Sequence, residues 1–265
     1  MRISMLAVVL LASPAAWADE DVSELHAMPC RPTIACTAEI VPAGALEVEM
    51  GFSQRRSGQA VDSVPALLKY SVTDRVQLQL GTNNIVNFGG TGAAQTFDGV
   101  YGGAKVVLVE RGEVVPAVSV SAFVSTSTGG MSVTTTDGDF WLYLSQDLPG
   151  VHADLNVGVN VLSIDSQPAA QYLGALSVSR EIAGGVGAML ETYAFVGGGS
   201  YAEHDAGVLA GFTYAPTPRL MFDLGTDVAL FRDSRNLTLF AGLTIVPYQY
   251  VKKQHAASDT SVAKR

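Results

Sequence analysis

Charge is scarce in this chain: Asp, Glu, Lys and Arg together make up 15% of its 265 residues. A water-facing surface normally carries roughly a quarter to a third charged residues, so an ordinary soluble exterior is hard to assemble from this composition. Positive charge is scarcer still, with 16 Lys and Arg against 25 Asp and Glu and a net charge of −9. That balance excludes nucleic acid as a partner, because phosphate contacts need clustered basic side chains. Long apolar runs are also missing, which excludes a helical membrane span of roughly 20 residues. Two cysteines and four histidines leave little for a metal site, and neither a metal nor a cofactor is expected. Disorder is excluded by the 48% of apolar residues. What is present is a positive mean hydropathy (+0.26) and 27 glycines, with no membrane helix to account for the first.

The N-terminus reads as an export signal. Arg2 supplies the positive end, Met5 to Ala12 the apolar core and Ala16-Trp17-Ala18 the small-residue cleavage site. Residues 1–18 are therefore expected to be removed before Asp19. Cys30 and Cys36 follow closely, and in an exported protein such a pair is most simply a disulfide. A metal site would need further ligands, and only His26 lies near. Residues 19–43 are expected to form a periplasmic segment carrying this pair.

From residue 44 the apolar residues alternate. Val151 to Val161 places an apolar side chain at every odd position, with His152, Asp154, Asn156, Gly158 and Asn160 between them. Arg75 to Leu80 and Arg219 to Leu230 repeat the pattern. A period of two marks strands, where a helix would give 3.6. Strands are predicted near 44–54, 61–72, 75–83, 97–109, 114–126, 139–147, 151–164, 169–180, 184–196, 206–215, 219–231 and 236–246. Most are about ten residues long, the length a tilted strand needs to cross a bilayer.

Short turns at Thr73-Asp74, Glu110 to Glu113, Leu148 to Gly150, Glu181 to Ala183 and Pro216 to Pro218 alternate with mostly longer links at 55–60, 84–96, 127–138, 165–168, 197–205 and 232–235. Outer-membrane barrels have short periplasmic turns and longer external loops. The expected fold is therefore all-β, a transmembrane up-and-down antiparallel β-barrel of about twelve strands spanning 44–246, with a C-terminal tail at 247–265. An even strand number leaves both termini in the periplasm. A soluble sandwich or lipocalin-like barrel also alternates, but its polar face would be charged, and Val114 to Thr136 contains no charge at all. Tyr70, Tyr214, Tyr248 and Tyr250 fall where a periplasmic aromatic girdle would lie.

Two stretches carry a family resemblance. Arg31 to Gly51 and Val64 to Gly81, the latter a strand pair around Thr73-Asp74-Arg75, resemble outer-membrane "transporter" proteins grouped under the label of the MetA pathway of phenol degradation. Asp98 to Lys105, Glu191 and Asp223 also fall where similar sequences carry such residues, so the resemblance covers roughly residues 30–246. It implies an outer-membrane transporter for small, hydrophobic or aromatic molecules. This chain departs from the pattern in reading Ser127-Thr128-Gly129 where Pro-Thr-Gly is common, and in continuing past the last strand.

With the apolar register facing lipid, Glu47, Glu49, Lys69, Lys105, His152, Asp154, Glu191, Asp223 and Asp227 become the candidate lumen-lining residues. Such a lumen would favour cations or neutral solutes; alternatively the charges pair and fill a narrow barrel. The first reading is a passive channel, with the lipid bilayer of the outer membrane, a small solute and the barrel-assembly machinery as partners. A second is a structural or adhesive barrel with a plugged lumen, binding through its outer loops. A hydrolase is third. His152 is the one histidine on a strand, and no Gly-x-Ser-x-Gly elbow or phosphate loop is present, Gly197 to Ser200 lacking the following Lys. No catalytic residue is assigned. Asp137-Gly138-Asp139 offers too few ligands for calcium at an outer loop.

Overall fold

The computed structural model describes residues 25–57, 59–82, 99–129, 132–164, 167–197, 205–230 and 237–250. The expected signal peptide, the links at 84–96 and 232–235, half of that at 165–168, most of that at 197–205, and the tail from residue 251 lie outside the described residues. The first strands are β1 (Ala45–Ser57), β2 (Gln59–Ser63), β3 (Ala66–Thr73), β4 (Val76–Thr82), β5 (Val100–Val109) and β6 (Ala117–Gly129). They are followed by β7 (Ser132–Leu148), β8 (Val151–Ile164), β9 (Gln167–Ala183), β10 (Val186–Gly197), β11 (Asp205–Thr217), β12 (Leu220–Ala229) and β13 (Leu237–Gln249).

Every pairing is antiparallel, and each strand pairs with its neighbours in sequence except that β2 and β3 both pair with β1. β13 returns to β1, pairing from Arg56↔Leu237 to Ala45↔Gln249 with one register shift between Leu46 and Val48, and closes the sheet. β2 and β3 pair with successive parts of the same edge of β1 and together form one stave, so the barrel has twelve staves. Closure matters physically: in hydrocarbon every backbone N–H and C=O needs an internal partner, and a closed barrel leaves no edge.

The inside–outside pattern inverts that of a soluble protein. On β3, Leu67, Lys69 and Ser71 are buried while Leu68, Tyr70 and Val72 are exposed. The outer surface is a band of apolar side chains, among them Phe52, Leu80, Phe140, Tyr172, Phe212 and Leu224. These are the residues a bilayer would cover. The low charge content therefore has a place: the outer face carries almost none, and the buried polar residues lie inside.

The tight turns sit at one rim. Leu148 and Val151 pair directly around Pro149-Gly150, where Gly150 has φ +84°. Gly184 and Gly185 (φ +60° and +78°) close the β9–β10 turn, a left-handed backbone that residues with a Cβ adopt at a cost. Other glycines serve the interior. Those at 81, 103, 158 and 207 face inward, and the rings of Tyr101, Phe123, Trp141 and Tyr193 lie against them, where a Cβ would collide.

Three expectations are corrected. The expected link at 127–138 is largely strand, because β6 and β7 extend past their predicted ends through a Ser/Thr-rich stretch that pairs in register. The link at 55–60 is likewise largely strand, belonging to β1 and β2. The final strand runs to Gln249 through Pro247, so Tyr248 lies within it rather than in the tail.

Candidate functional site

The barrel interior is occupied by the chain's own N-terminal segment. Residues 25–43, expected in the periplasm, instead form a loop that enters at the short-turn rim, crosses the lumen and returns. At its start the Ala27 N–H donates to the Pro218 carbonyl (2.8 Å) between β11 and β12. At its end the Ala43 N–H donates to Asp74 Oδ1 (2.9 Å), and the Gly44 N–H donates to the Ser71 carbonyl. Cys30 and Cys36 are disulfide-bonded, with Cα atoms 4.5 Å apart, and close the loop at its apex.

The reason for this placement is reciprocal satisfaction. An irregular segment carries backbone groups that no sheet pairs, and the barrel wall carries fully buried carboxylates; either alone is costly. Glu47 accepts from the Met28 N–H (2.6 Å), and Glu49 from the N–H groups of Cys30 (2.9 Å) and Arg31 (3.1 Å). Across the lumen, Glu191 takes the N–H groups of Ile34 (2.9 Å) and Ala35 (2.7 Å), one on each oxygen. Charge-assisted bonds of this kind are roughly twice as strong as neutral ones.

The lysines hold the carbonyls. Lys69 donates to Glu47 (2.8 Å) and to the Met28 carbonyl (2.9 Å), and is also paired with Glu49. Lys105 reaches the carbonyls of Thr37 and Glu39, with its ammonium 4.3 Å from the centre of the Tyr143 ring. The Ala38 N–H donates to Ser145 Oγ (2.6 Å), and Ser119 Oγ donates to the Ala38 carbonyl. Asn156, with its amide oriented to satisfy both groups, accepts from the Cys36 N–H (2.7 Å) and donates to the Cys36 carbonyl (3.0 Å).

Arg31 does more than its place in the disulfide loop suggests. Its guanidinium lies against inward-facing Gly51 and Gly242, where a Cβ on either would overlap it. It donates to the Ala241 carbonyl (3.3 Å) and stands 3.6 Å from the Asp223 carboxylate. Asp227 accepts from the Tyr193 hydroxyl (2.9 Å). The sequence offered one signal for this pocket, two glycines in phase with the inward residues of β1 and β13.

At the short-turn rim, Arg111 bridges Glu39 (3.2 Å) and Asp147 (2.6 Å), linking the loop to β7. His152 lies between Asp147, 2.7 Å from Nδ1, and Asp154, 3.1 Å from Nε2. Ser145 donates to Asp154 and not to the imidazole. Both ring nitrogens thus face carboxylates, which leaves none to accept a serine proton as a triad base must.

The loop divides the lumen. On the short-turn side a cavity of about 420 Å³ is lined by its residues Met28, Arg31, Thr33 and Thr37 together with Arg180 and Met189 of the wall. On the other side a second cavity, about 400 Å³, is lined by Cys30, Ile34 and Cys36 and by a cluster of rings. Tyr101 and Phe123 meet edge to face at 6.0 Å, and Trp141 stacks near Tyr143 at 6.4 Å. Asp137 and Asp139 line this chamber from strand β7, and not from an outer loop as expected. The alternation Asp137, Asp139, Trp141, Tyr143, Ser145 was readable, but the strand was predicted to begin at 139, whereas β7 begins at Ser132.

Comparison with solved structures bears on the fold. A "COG4313 outer membrane channel from Pseudomonas putida F1" superposes with a TM-score of 0.60 at 13% identity, covering 79% of this chain and 97% of that one. The NanC porin gives 0.57 at 11% identity, with coverages of 75% and 98%. The KdgM porin "in complex with disordered oligogalacturonate" gives 0.54 at 9% identity, with coverages of 76% and 99%. No family model matches the chain, and no curated protein sequence matches it. The fold is thus a transmembrane β-barrel of the kind seen in outer-membrane channels and porins.

Proposed function

We propose that the protein is a passive outer-membrane channel for small molecules, with a lumen constricted by its own disulfide-closed N-terminal loop. The observation that carries this reading is the pair of cavities on the two sides of that loop, inside a closed barrel whose interior is polar. A solute would enter the outer chamber, pass the loop and leave through the short-turn side, driven by its gradient. The aromatic lining of the outer chamber supports small aromatic molecules as the solute class, in line with the resemblance to the MetA-pathway transporters. No residue is assigned covalent chemistry.

In this reading residues 1–18 are cleaved on export and the barrel-assembly machinery inserts the chain. Of the nine wall residues expected in the lumen, Glu47, Glu49, Lys69, Lys105, Glu191 and Asp223 then act chiefly by setting the loop's position. A structural or adhesive barrel is the second reading, favoured by the number of bonds that seat the loop. Planar-bilayer recording separates the two. Discrete conductance steps, with liposome swelling in small aromatic solutes, are expected of the channel; a silent bilayer and inert liposomes would leave the plugged barrel standing.

A further inference from the structure

We infer that the outer chamber is a binding site for small organic cations, specifically a protonated amine attached to an aromatic ring. The inference deepens the channel reading by naming the solute's chemistry, but binding is measured without transport. Three observations converge on it.

The first is the arrangement of the wall. Asp139 pairs in register with Phe123 on one side and Asn160 on the other. One inward step toward the loop, Trp141 stands between Ser121 and Gly158, and a Cβ at Gly158 would be 2.7 Å from the indole. Asp137 stands one inward step the other way, opposite Ser125. The chamber thus has its carboxylates at the level of Phe123 and Tyr101, with the rings of Trp141 and Tyr143 further toward the loop. A ligand with a charged head and a flat apolar body matches that division, which neither a bare metal ion nor a neutral hydrocarbon uses fully.

The second is the sign of the charge. Among the described residues that line the chamber there is no Lys, Arg or His. Lys105 is turned to the carbonyls of Thr37 and Glu39 and already rests over Tyr143. The wall therefore hosts one cation–π contact of its own. Such contacts gain strength where the cation is desolvated, as in a chamber of this kind.

The third is an acceptor without a donor. Asn160 Oδ1 is buried and has no hydrogen-bond partner, while its Nδ2 donates to Gln171 (3.3 Å). A buried acceptor left unsatisfied carries a penalty that an incoming N–H relieves. Carboxylates alone would admit any cation; Asn160 adds a preference for one that still bears N–H groups.

The test uses the full-length barrel purified in a nonionic detergent. Trp141 serves as reporter, since the one other tryptophan is Trp17. Binding of 2-phenylethylammonium, 2-phenylethanol and phenylacetate is followed by fluorescence and calorimetry. The ammonium should bind saturably and roughly tenfold or more tighter than the alcohol, with the carboxylate weakest. Equal binding of all three, a preference for phenylacetate, or no saturable signal would overturn the inference. So would sodium or calcium competing as strongly as the organic cation. In D137N/D139N the ammonium's advantage should shrink to about twofold, and a preference that survives intact would remove the site from these carboxylates. Asn160→Leu gives a second reading. It should weaken 2-phenylethylammonium several-fold yet leave its trimethylammonium analogue, which has no N–H, unchanged; equal loss for both would refute the role of Asn160. Selective binding with a silent bilayer would sink the channel and keep the site, whereas conductance without selective binding would do the reverse.

Discussion

Gly51 on β1 and Gly242 on β13 are register partners at the seam that closes the barrel, and the guanidinium of Arg31 fills the space their missing side chains leave. The seam and the loop are therefore fitted to each other. Gly51→Val or Gly242→Val would place methyl groups where the guanidinium lies and push Arg31 away from Asp223 and the Ala241 carbonyl. Overpacking of this kind costs about 1–3 kcal/mol. Because the barrel can keep its strand pairing by releasing the loop, the expected result is a folded barrel with larger conductance. Bilayer recording beside heat-modifiable gel migration checks it. A variant that stays folded with unchanged conductance would mean Arg31 does not help to seat the constriction.

Neutralising Glu47 and Glu49 together should loosen the loop's entry strand. Their oxygens accept the N–H groups of Met28, Cys30 and Arg31, and both pair with buried Lys69. E47Q/E49Q leaves Lys69 without an opposing charge, and breaking a buried pair costs about 3–5 kcal/mol. Adding Lys69→Met should recover part of that loss, since removing both partners is cheaper than stranding one. Thermal unfolding of the double and triple variants gives the comparison; a triple variant less stable than the double would contradict the scheme.

How much of this was legible beforehand depends on the kind of interaction. The barrel was readable because strands facing lipid on one side must alternate, and Leu68-Lys69-Tyr70-Ser71-Val72 does so residue by residue. Glu47, Glu49, Lys69, Lys105, Glu191 and Asp223 were readable as inward-facing from the same phase, and each is buried. What they do there was not. Glu191 bonds to a backbone 157 residues distant, and a main-chain N–H leaves no trace in residue type. For the same reason Ala35 and Ala38, which offer only backbone, gave no hint that they lie deep in the barrel. Asp137 and Asp139 were missed for a local reason, a polar Ser/Thr stretch that reads as loop until its pairing with β6 is known.

Glu191 offers a graded test of that long-range contact. Each carboxylate oxygen takes one N–H, from Ile34 and Ala35. Glu191→Gln keeps one acceptor oxygen and puts an NH₂ against the other amide, while Glu191→Ala removes both acceptors. Amide exchange at Ile34 and Ala35 should accelerate in both variants, more in the alanine one. An unsatisfied buried amide costs about 1–3 kcal/mol, or roughly 5- to 150-fold in local opening. If exchange at both residues stays at the unaltered rate in Glu191→Ala, the carboxylate does not anchor the loop.

The disulfide should control the apex without supporting the barrel. Cys30 and Cys36 close a short loop that bonds to the wall through Glu49, Glu191 and Asn156, whereas no strand of the sheet depends on the bridge. Cross-linking so short a loop removes roughly 2–3 kcal/mol of chain entropy from its released state. C30S/C36S, or reduction with a dithiol, should therefore populate released forms of the loop and leave the thermal transition of the sheet nearly unchanged. In bilayers this predicts noisier, larger openings that close down again when the dithiol is removed and the bridge reforms. The serine variant should be insensitive to the dithiol, which separates the bridge from other effects of the reductant. An identical current in oxidised and reduced protein would place the constriction somewhere other than this loop.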